Sequence, residues 1–468
     1  MKRRAGGLML ALLLFVGSVN AGGPLRVTGP AATTPGQPFV WDTSSAIKYT
    51  VDGGPLSANP SGQTVIDNAT GRSRVASMFQ SWSSVPTAAI SFSYAGVITA
   101  PGLSAGGDVK TIQDYNAVVG VCKNGTQNPV IFDADGSILK ALGLSPFVIG
   151  FSGACKLDLQ VGHIVSALIF MNGQFQDGVA DHNTTNPEIS ADQFDEAITH
   201  EMGHFSGLDH SQINLDLYES GAVGNCDLDR LAGLPLMFPI LFCQSRKSAG
   251  LPILAPDDVA WISKLYPASS YASNYGTISG FVFFQDGITA LQGVNVIARR
   301  VDDPATPEDE SKRIAVSVVS GFSFTGNPGQ SISGTNTGGS SYGSRNPALI
   351  GYYEIPVPPG TYTIQTENID SAFAGGSNVG PLVPPATTYA AAEFWHLYES
   401  AYDDPTVKDP VTVQAGQKIS NINFILNQTT PMLNRFDQFE DGEVLLLPPH
   451  EPFLLRPSPA PWSLERAS

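Results

Sequence analysis

SADQFDEAITHEMGHFSGLDH, Ser190–His210, is the stretch on which the reading of the whole chain turns. Ser190 is an N-cap residue with Gln193 three positions on, a capping box, and Asp192 suits the positive end of a first helical turn. Phe194, Ala197, Ile198, Met202 and Phe205 then recur at helical spacing, so this helix buries one face. It ends at Gly207, because glycine takes the left-handed conformation that closes a helix. The four-residue step from His200 to His204 sets both imidazoles on one face, one turn apart. Past Gly207 the chain swings His210 toward the same point and completes HExxHxxGxxH. Three imidazoles leave one corner of a tetrahedral ion open, which is the ligand count of a catalytic zinc rather than a structural one. Glu201 is beside the ligands and can take a proton from a water held at that corner, so it is the candidate general base. The chain has only seven histidines, and composition does not account for three of them at this spacing around a glutamate.

Outward from this helix the patterns alternate. Trp41 precedes Ile47, Tyr49 and Val51, spaced as in a half-buried strand. Val75, Met78, Phe79 and Trp82 mark a helix face that Pro86 ends, and Ile90, Phe92 and Tyr94 alternate again. Val165–Met171 is a denser apolar run and a further strand. A last helix spans about Pro256 to Leu265, with Asp257 and Asp258 in its first turn and Pro267 just beyond it. Strand, helix, strand suggests an α/β layer arrangement. After a small, polar stretch, 268–275, the rhythm changes. Short alternating runs at Thr277–Phe284, Gly293–Arg299, Tyr352–Ile355, Thr361–Thr366, Val411–Val413 and Ile419–Leu426, separated by Gly and Pro turns, indicate a β-sandwich. Gly321–Arg345 is Gly/Ser-rich and is expected to be a long flexible excursion.

HEMGHFSGLDHS resembles the metzincin metallopeptidases, in particular the matrixin-like group. The resemblance implies a zinc endopeptidase acting on a protein or peptide substrate, with His200, His204 and His210 as zinc ligands and Glu201 as base. Leu236-Met237-Phe238-Pro239 resembles the family's methionine turn, with Met237 supporting the site from below and Phe238 and Pro239 near a pocket wall. The likeness extends from about Pro38 to Pro267. Residues 211–236 are longer than the matrixin pattern and contain Cys226, with Cys243 just past the turn. The sequence before Trp41 carries no cysteine switch and leaves no room for a large propeptide, so zymogen control of the family's usual kind is not expected. Gly276–Gly280, Gly293–Val296, Tyr353–Pro356 and Pro359–Tyr362 resemble a carboxypeptidase regulatory-like β-sandwich.

The expected fold is therefore α+β: a metzincin domain with a mixed twisted sheet and a long active-site helix at 38–268, then an all-β sandwich at 276–428. Residues 1–21 read as a signal peptide, with Lys2, Arg3 and Arg4 before an apolar run, Leu8–Val16, that is shorter than the roughly 20 residues needed to cross a bilayer. Residues 22–37 read as a flexible N-terminal segment and 429–468 as a Pro-rich tail. The mature protein is expected outside the cytoplasm, extracellular or periplasmic, with no membrane insertion once the leader is gone. A net charge of −17 repels nucleic acid, which we set aside as a partner. Nothing in the sequence sets an oligomeric state. The four cysteines allow three pairings, of which the local ones, Cys122 with Cys155 and Cys226 with Cys243, close the shortest loops. His163 and His182 are isolated histidines that could join a second metal. Asp133-Ala134-Asp135-Gly136 has the composition of a calcium turn without EF-hand spacing, and reads as a solvated β-turn, leaving Ca2+ a secondary cofactor candidate beside Zn2+. The alternative to an enzyme is a surface adhesion or binding protein that uses a metallopeptidase-like scaffold.

Overall fold

The computed structural model describes residues 22–180, 188–211, 213–214, 228–241, 244–325, 342–368 and 392–427. The expected leader, the tail, His182, Cys226, Cys243 and residues 326–341 of the Gly/Ser-rich stretch lie outside the described residues. Among the described residues no helix is long and apolar enough to cross a membrane.

The architecture is mixed α and β. In the first part, strands β1 (Val40–Trp41), β2 (Ile47–Val51), β3 (Phe92–Val97), β4 (Pro129–Asp133), β5 (Gly150–Asp158) and β6 (His163–Asn172) form one sheet in the order β1-β6-β4-β2-β3. These neighbours are parallel, while β5 is antiparallel and pairs with β6. The longer helices of this part are α1 (Asn68–Ser83), α2 (Ile112–Asn124), α3 (Ala191–Phe205) and α4 (Pro256–Leu265). The helix face expected from Val75, Met78, Phe79 and Trp82 is buried in α1. The stripe Phe194, Ala197, Ile198, Met202 and Phe205 is buried in α3, which packs on α1, β5 and β6.

Cys122 on α2 is bonded to Cys155 on the antiparallel strand β5, the local pairing expected. The bridge closes a 33-residue separation, and loop-closure entropy assigns such a crosslink about 3–4 kcal/mol. Cys122→Ser with Cys155→Ser is expected to lower the unfolding free energy by that amount in a urea titration, with β5 losing its anchor to α2.

Two expectations are corrected here. Residues 22–37, expected to be a flexible leader, are held along their length: Thr28 N donates to Gln37 O at 2.8 Å, Phe39 N to Arg26 O at 3.0 Å and Leu25 N to Gly207 O at 2.8 Å. The turn after Asp133 has an exposed Asp135, as a solvated turn should, but Asp133 itself is not solvated. Asp133 is buried and its two carboxylate oxygens accept the amides of Ile138, 3.1 Å, and Leu139, 2.8 Å, at the start of a short helix. Burial pushes its carboxyl up to about 6, and its oxygens serve the helix rather than a calcium ion.

The second part is all strand apart from short helical turns. Strands β7 (Gly276–Phe283), β8 (Asn295–Arg300), β9 (Ala315–Val319), β10 (Tyr352–Val357), β11 (Gly360–Glu367), β12 (Glu393–Phe394), β13 (Val411–Val413), β14 (Lys418–Ile419) and β15 (Phe424–Ile425) form two sheets. One has the order β9-β8-β11-β12 with β13 also on β11; the other has β10-β7-β14 with β15 also on β7. Ile278, Val282, Tyr353 and Ile355 of the second sheet and Val296, Ala298, Tyr362 and Ile364 of the first belong to one apolar cluster, which continues into the first part through Trp261 and Ile262 of α4. Polar contacts follow the same seam. Trp261 Nε1 donates to Ser317 O at 2.6 Å, and Ser317 N donates to the buried Asp257 at 2.9 Å. Helix α4 is thus the floor on which β9 rests.

Candidate metal centre

Helix α3 begins as its sequence indicates. Ser190 Oγ accepts the Gln193 amide and Gln193 Oε1 accepts the Ser190 amide, each at 3.2 Å. The helix ends by a Schellman arrangement, in which Leu208 N reaches Gly203 O and Gly207 N reaches His204 O, both at 3.0 Å, with Gly207 at φ 87°. At that positive φ the chain leaves the helix, and the His210 ring comes back to those of His200 and His204.

The three histidines converge. His210 Nε2 is 2.9 Å from His200 Nε2 and 3.0 Å from His204 Nε2. Each of the two helical imidazoles is oriented by a main-chain carbonyl on its other side: His200 Nδ1 lies 2.7 Å from Leu236 O and His204 Nδ1 lies 2.9 Å from Leu208 O. A carbonyl only accepts, so both Nδ1 atoms carry hydrogen and both Nε2 atoms present lone pairs. Burial holds all three rings below the ordinary histidine range, His204 down to about 4. They are therefore neutral at physiological pH. His210 Nδ1 is buried with no hydrogen-bond partner among the described residues, so no protein group fixes its tautomer, and its Nε2 is able to join the other two lone pairs around a cation. The donor set fits a metal ion, and it is buried, with relative exposures of 0% for His200 and 4% for His210.

A second group of potential ligands lies in the second part, where His396, Glu399 and Asp403 have ligand atoms within 4.8 Å of one another. Its chemistry differs. His396 Nδ1 accepts the Tyr398 amide at 3.1 Å, so Nε2 carries the hydrogen and donates to Asp403 at 3.0 Å. Both nitrogens are already engaged by protein, and the group is satisfied without an ion.

The support beneath the triad comes from Leu236 and Met237. Asp258, buried at the first turn of α4, accepts the amides of Leu236 at 2.9 Å, Met237 at 3.0 Å and Ala255 at 2.7 Å. One carboxylate thereby fixes the turn whose carbonyl orients His200. Met237 packs under α3 so closely that a Cβ added at Gly203 would stand 2.3 Å from its sulfur and 3.0 Å from the Trp82 ring. Pro239 and Phe238 are buried beside it. Gly203→Ala is therefore expected to cost about 1–3 kcal/mol by overpacking and to move α3 relative to the turn; thermal unfolding and metal affinity of the variant check this.

The third ligand is held from two sides. Ser211 N donates to Met237 O at 2.8 Å, while Asp209 N donates to Gly23 O at 3.0 Å and Gly22 N donates to His210 O. The sequence signals no such role for residues 22–25, nor Asp258 as the anchor of the Leu236–Met237 turn. The capping position of Asp258 was visible; its reach to Leu236 was not.

Glu201 is 2% exposed, and burial pushes its carboxyl up to about 8, opposed by an N–H from Ser152 on β5. Asp257, also fully buried, is pushed up to about 8, by burial first and by Asp258 second. Both groups bind a proton in the folded chain that the unfolded chain, with ordinary carboxylates near 4, has released. Their contribution is complete below about pH 4 and is lost as pH rises through 8. Metal-free protein is therefore expected to lose stability between about pH 4 and 8, by up to about 1.4 kcal/mol per pH unit for each group, and to level off above pH 8, seen as a falling urea midpoint.

His163 lies at the start of β6, and its suggested partner, His182, is outside the described residues. No family model matches the chain, and no curated protein matches it.

Proposed function

We propose that this chain is a secreted zinc endopeptidase of the metzincin kind, matrixin-like in its active-site helix and methionine turn, followed by a regulatory-like β-sandwich. The observation that carries the reading is His210 Nε2 at 2.9 Å from His200 Nε2 and 3.0 Å from His204 Nε2, with the two helical imidazoles locked into the metal-binding tautomer by Leu236 O and Leu208 O. His200, His204 and His210 would hold the ion. A zinc ion bound by three histidines supplies Lewis acidity and a water of lowered pKa at its open corner.

The remaining chemistry belongs to the chain. Glu201, one residue from a ligand on the same buried turn, takes a proton at its carboxylate and returns it to the leaving amine. Its carboxyl gives up that proton more readily when positive charge is held at the imidazoles, since an opposite charge nearby lowers a carboxyl pKa that burial has raised. Strand β5 supports a peptide substrate. Among the described strands it pairs only with β6, and at Gly150 an added Cβ would come 3.4 Å from the Glu201 side chain, so the edge runs past the base. An extended peptide can add to such an edge through main-chain hydrogen bonds, which aligns it without reading side chains. The Cys122–Cys155 bridge suits an oxidising compartment, in keeping with export. The two facing sheets that share one apolar cluster support the sandwich reading of the second part.

The test is hydrolysis of a mixed peptide library by the purified protein. Cleavage that stops on chelation and returns with zinc is expected. Cleavage indifferent to chelation contradicts the mechanism, and no cleavage of any peptide favours a binding role for the scaffold.

A further inference from the structure

We propose that Arg345 is the core of a buried binding site for a small oxyanion, at the seam between the N-terminal segment and the second part of the chain. Arg345 is 8% exposed, and its Nε and both terminal nitrogens are buried with no hydrogen-bond partner among the described residues. The other buried guanidinium groups of this chain are neutralised or hydrogen-bonded: Arg299 pairs with Glu367 at 2.5 Å, and Arg246 donates to the carbonyls of Leu231, Leu234 and Pro252. Among the described residues Arg345 has neither kind of partner. Its only influence is burial, which pulls its pKa down with no carboxylate to oppose it.

A guanidinium stays charged in proteins, and an uncompensated buried charge costs several kcal/mol. The backbone nevertheless commits the side chain to this place. Arg345 adopts φ 58°, a left-handed conformation unusual for a residue with a Cβ, and its amide donates to Phe324 O at 3.2 Å. The preceding residues pair with the N-terminal segment, Gly343 N donating to Val27 O at 3.1 Å opposite Thr28 and Tyr342. Arg26 of that segment stacks on Tyr342, its guanidinium 5.3 Å from the ring centre, which helps hold the two segments together. Five N–H donors in a rigid fork, unused and enclosed, match the paired oxygens of a carboxylate or a phosphate. Nothing among the described residues supplies the counter-charge, and we assign that role to an exogenous anion.

The experiment compares thermal unfolding of full-length wild type and Arg345→Met in chloride, acetate and phosphate at constant ionic strength. An oxyanion that binds only the folded chain raises its stability by mass action. Wild type is expected to gain at least about 2 °C in phosphate or acetate over chloride, with Arg345→Met unresponsive. Phosphate alone or acetate alone identifies which oxyanion the site takes. In chloride, Arg345→Met is expected to unfold no lower than wild type, because it removes an unpaired buried charge of similar size. Equal responses of the two proteins, no response of wild type, or a lower unfolding temperature for Arg345→Met in chloride overturns the proposal. Calorimetric titration of wild type with phosphate and acetate needs no variant, and absence of binding in both has the same force.

Discussion

Glu201→Gln is expected to lower kcat/KM by about 10²–10⁴-fold while the protein keeps its metal, because general-base catalysis contributes a factor of that order and the amide cannot take a proton. The substitution removes no ligand and adds no volume. The side chain is 2% exposed with its carboxyl pushed up to about 8, so the neutral amide replaces a group that is itself easily protonated in the metal-free fold. Thermal stability is therefore expected to hold or rise slightly. Steady-state kinetics with metal analysis on the same sample separates the two effects. An unchanged kcat/KM with full metal occupancy would remove Glu201 from the chemistry.

A larger loss is expected from His204→Gln. His204 is the second residue of the four-residue step, its Nε2 faces His210 at 3.0 Å, and its Nδ1 is tied to Leu208 O. Removing it leaves two imidazoles, too few to keep a catalytic ion. Activity is expected to fall to background and not to be rescued by added zinc. The thermodynamic signature is independent of turnover. Free zinc at a thousandfold above Kd stabilises a folded binder by about 4 kcal/mol, and this increment is expected in wild type and in Glu201→Gln but not in His204→Gln. Thermal unfolding with and without zinc measures it.

Much of the candidate site could be read from one helix and the turn after it. The capping box at Ser190 and Gln193, the buried stripe and the stop at Gly207 are local, and local chemistry decided them. The convergence of His210 was legible because a glycine at that position forces the chain to turn. Other parts were not legible, for physical reasons. Strand β4 is a continuous apolar run, Val130-Ile131-Phe132, paired with parallel strands on both edges and buried in a separate apolar cluster on each face, and shows no alternation to mark it. Helix α2 was overlooked although Thr111 and Asp114 form a capping box, because Gly120 and Asn116 weaken the helical pattern. Strand β9, Ala315–Val319, is likewise fully buried and reads as a plain apolar run. The groups that orient the triad were invisible for a different reason. Leu236 O and Leu208 O are backbone atoms, so no residue type signals them. Residues 22–25 have Gly and Pro composition that suggests a loose leader, yet their amides and carbonyls pair with the turn that carries His210.

X-ray absorption at the zinc edge, on protein purified without added chelator, addresses the triad most directly. Three imidazole nitrogens at about 2.0–2.1 Å with one further light atom, lost together in His204→Gln, are the expected result. A sulfur ligand, an absorption spectrum unchanged by His204→Gln, or active protein containing no transition metal would contradict a centre built on His200, His204 and His210.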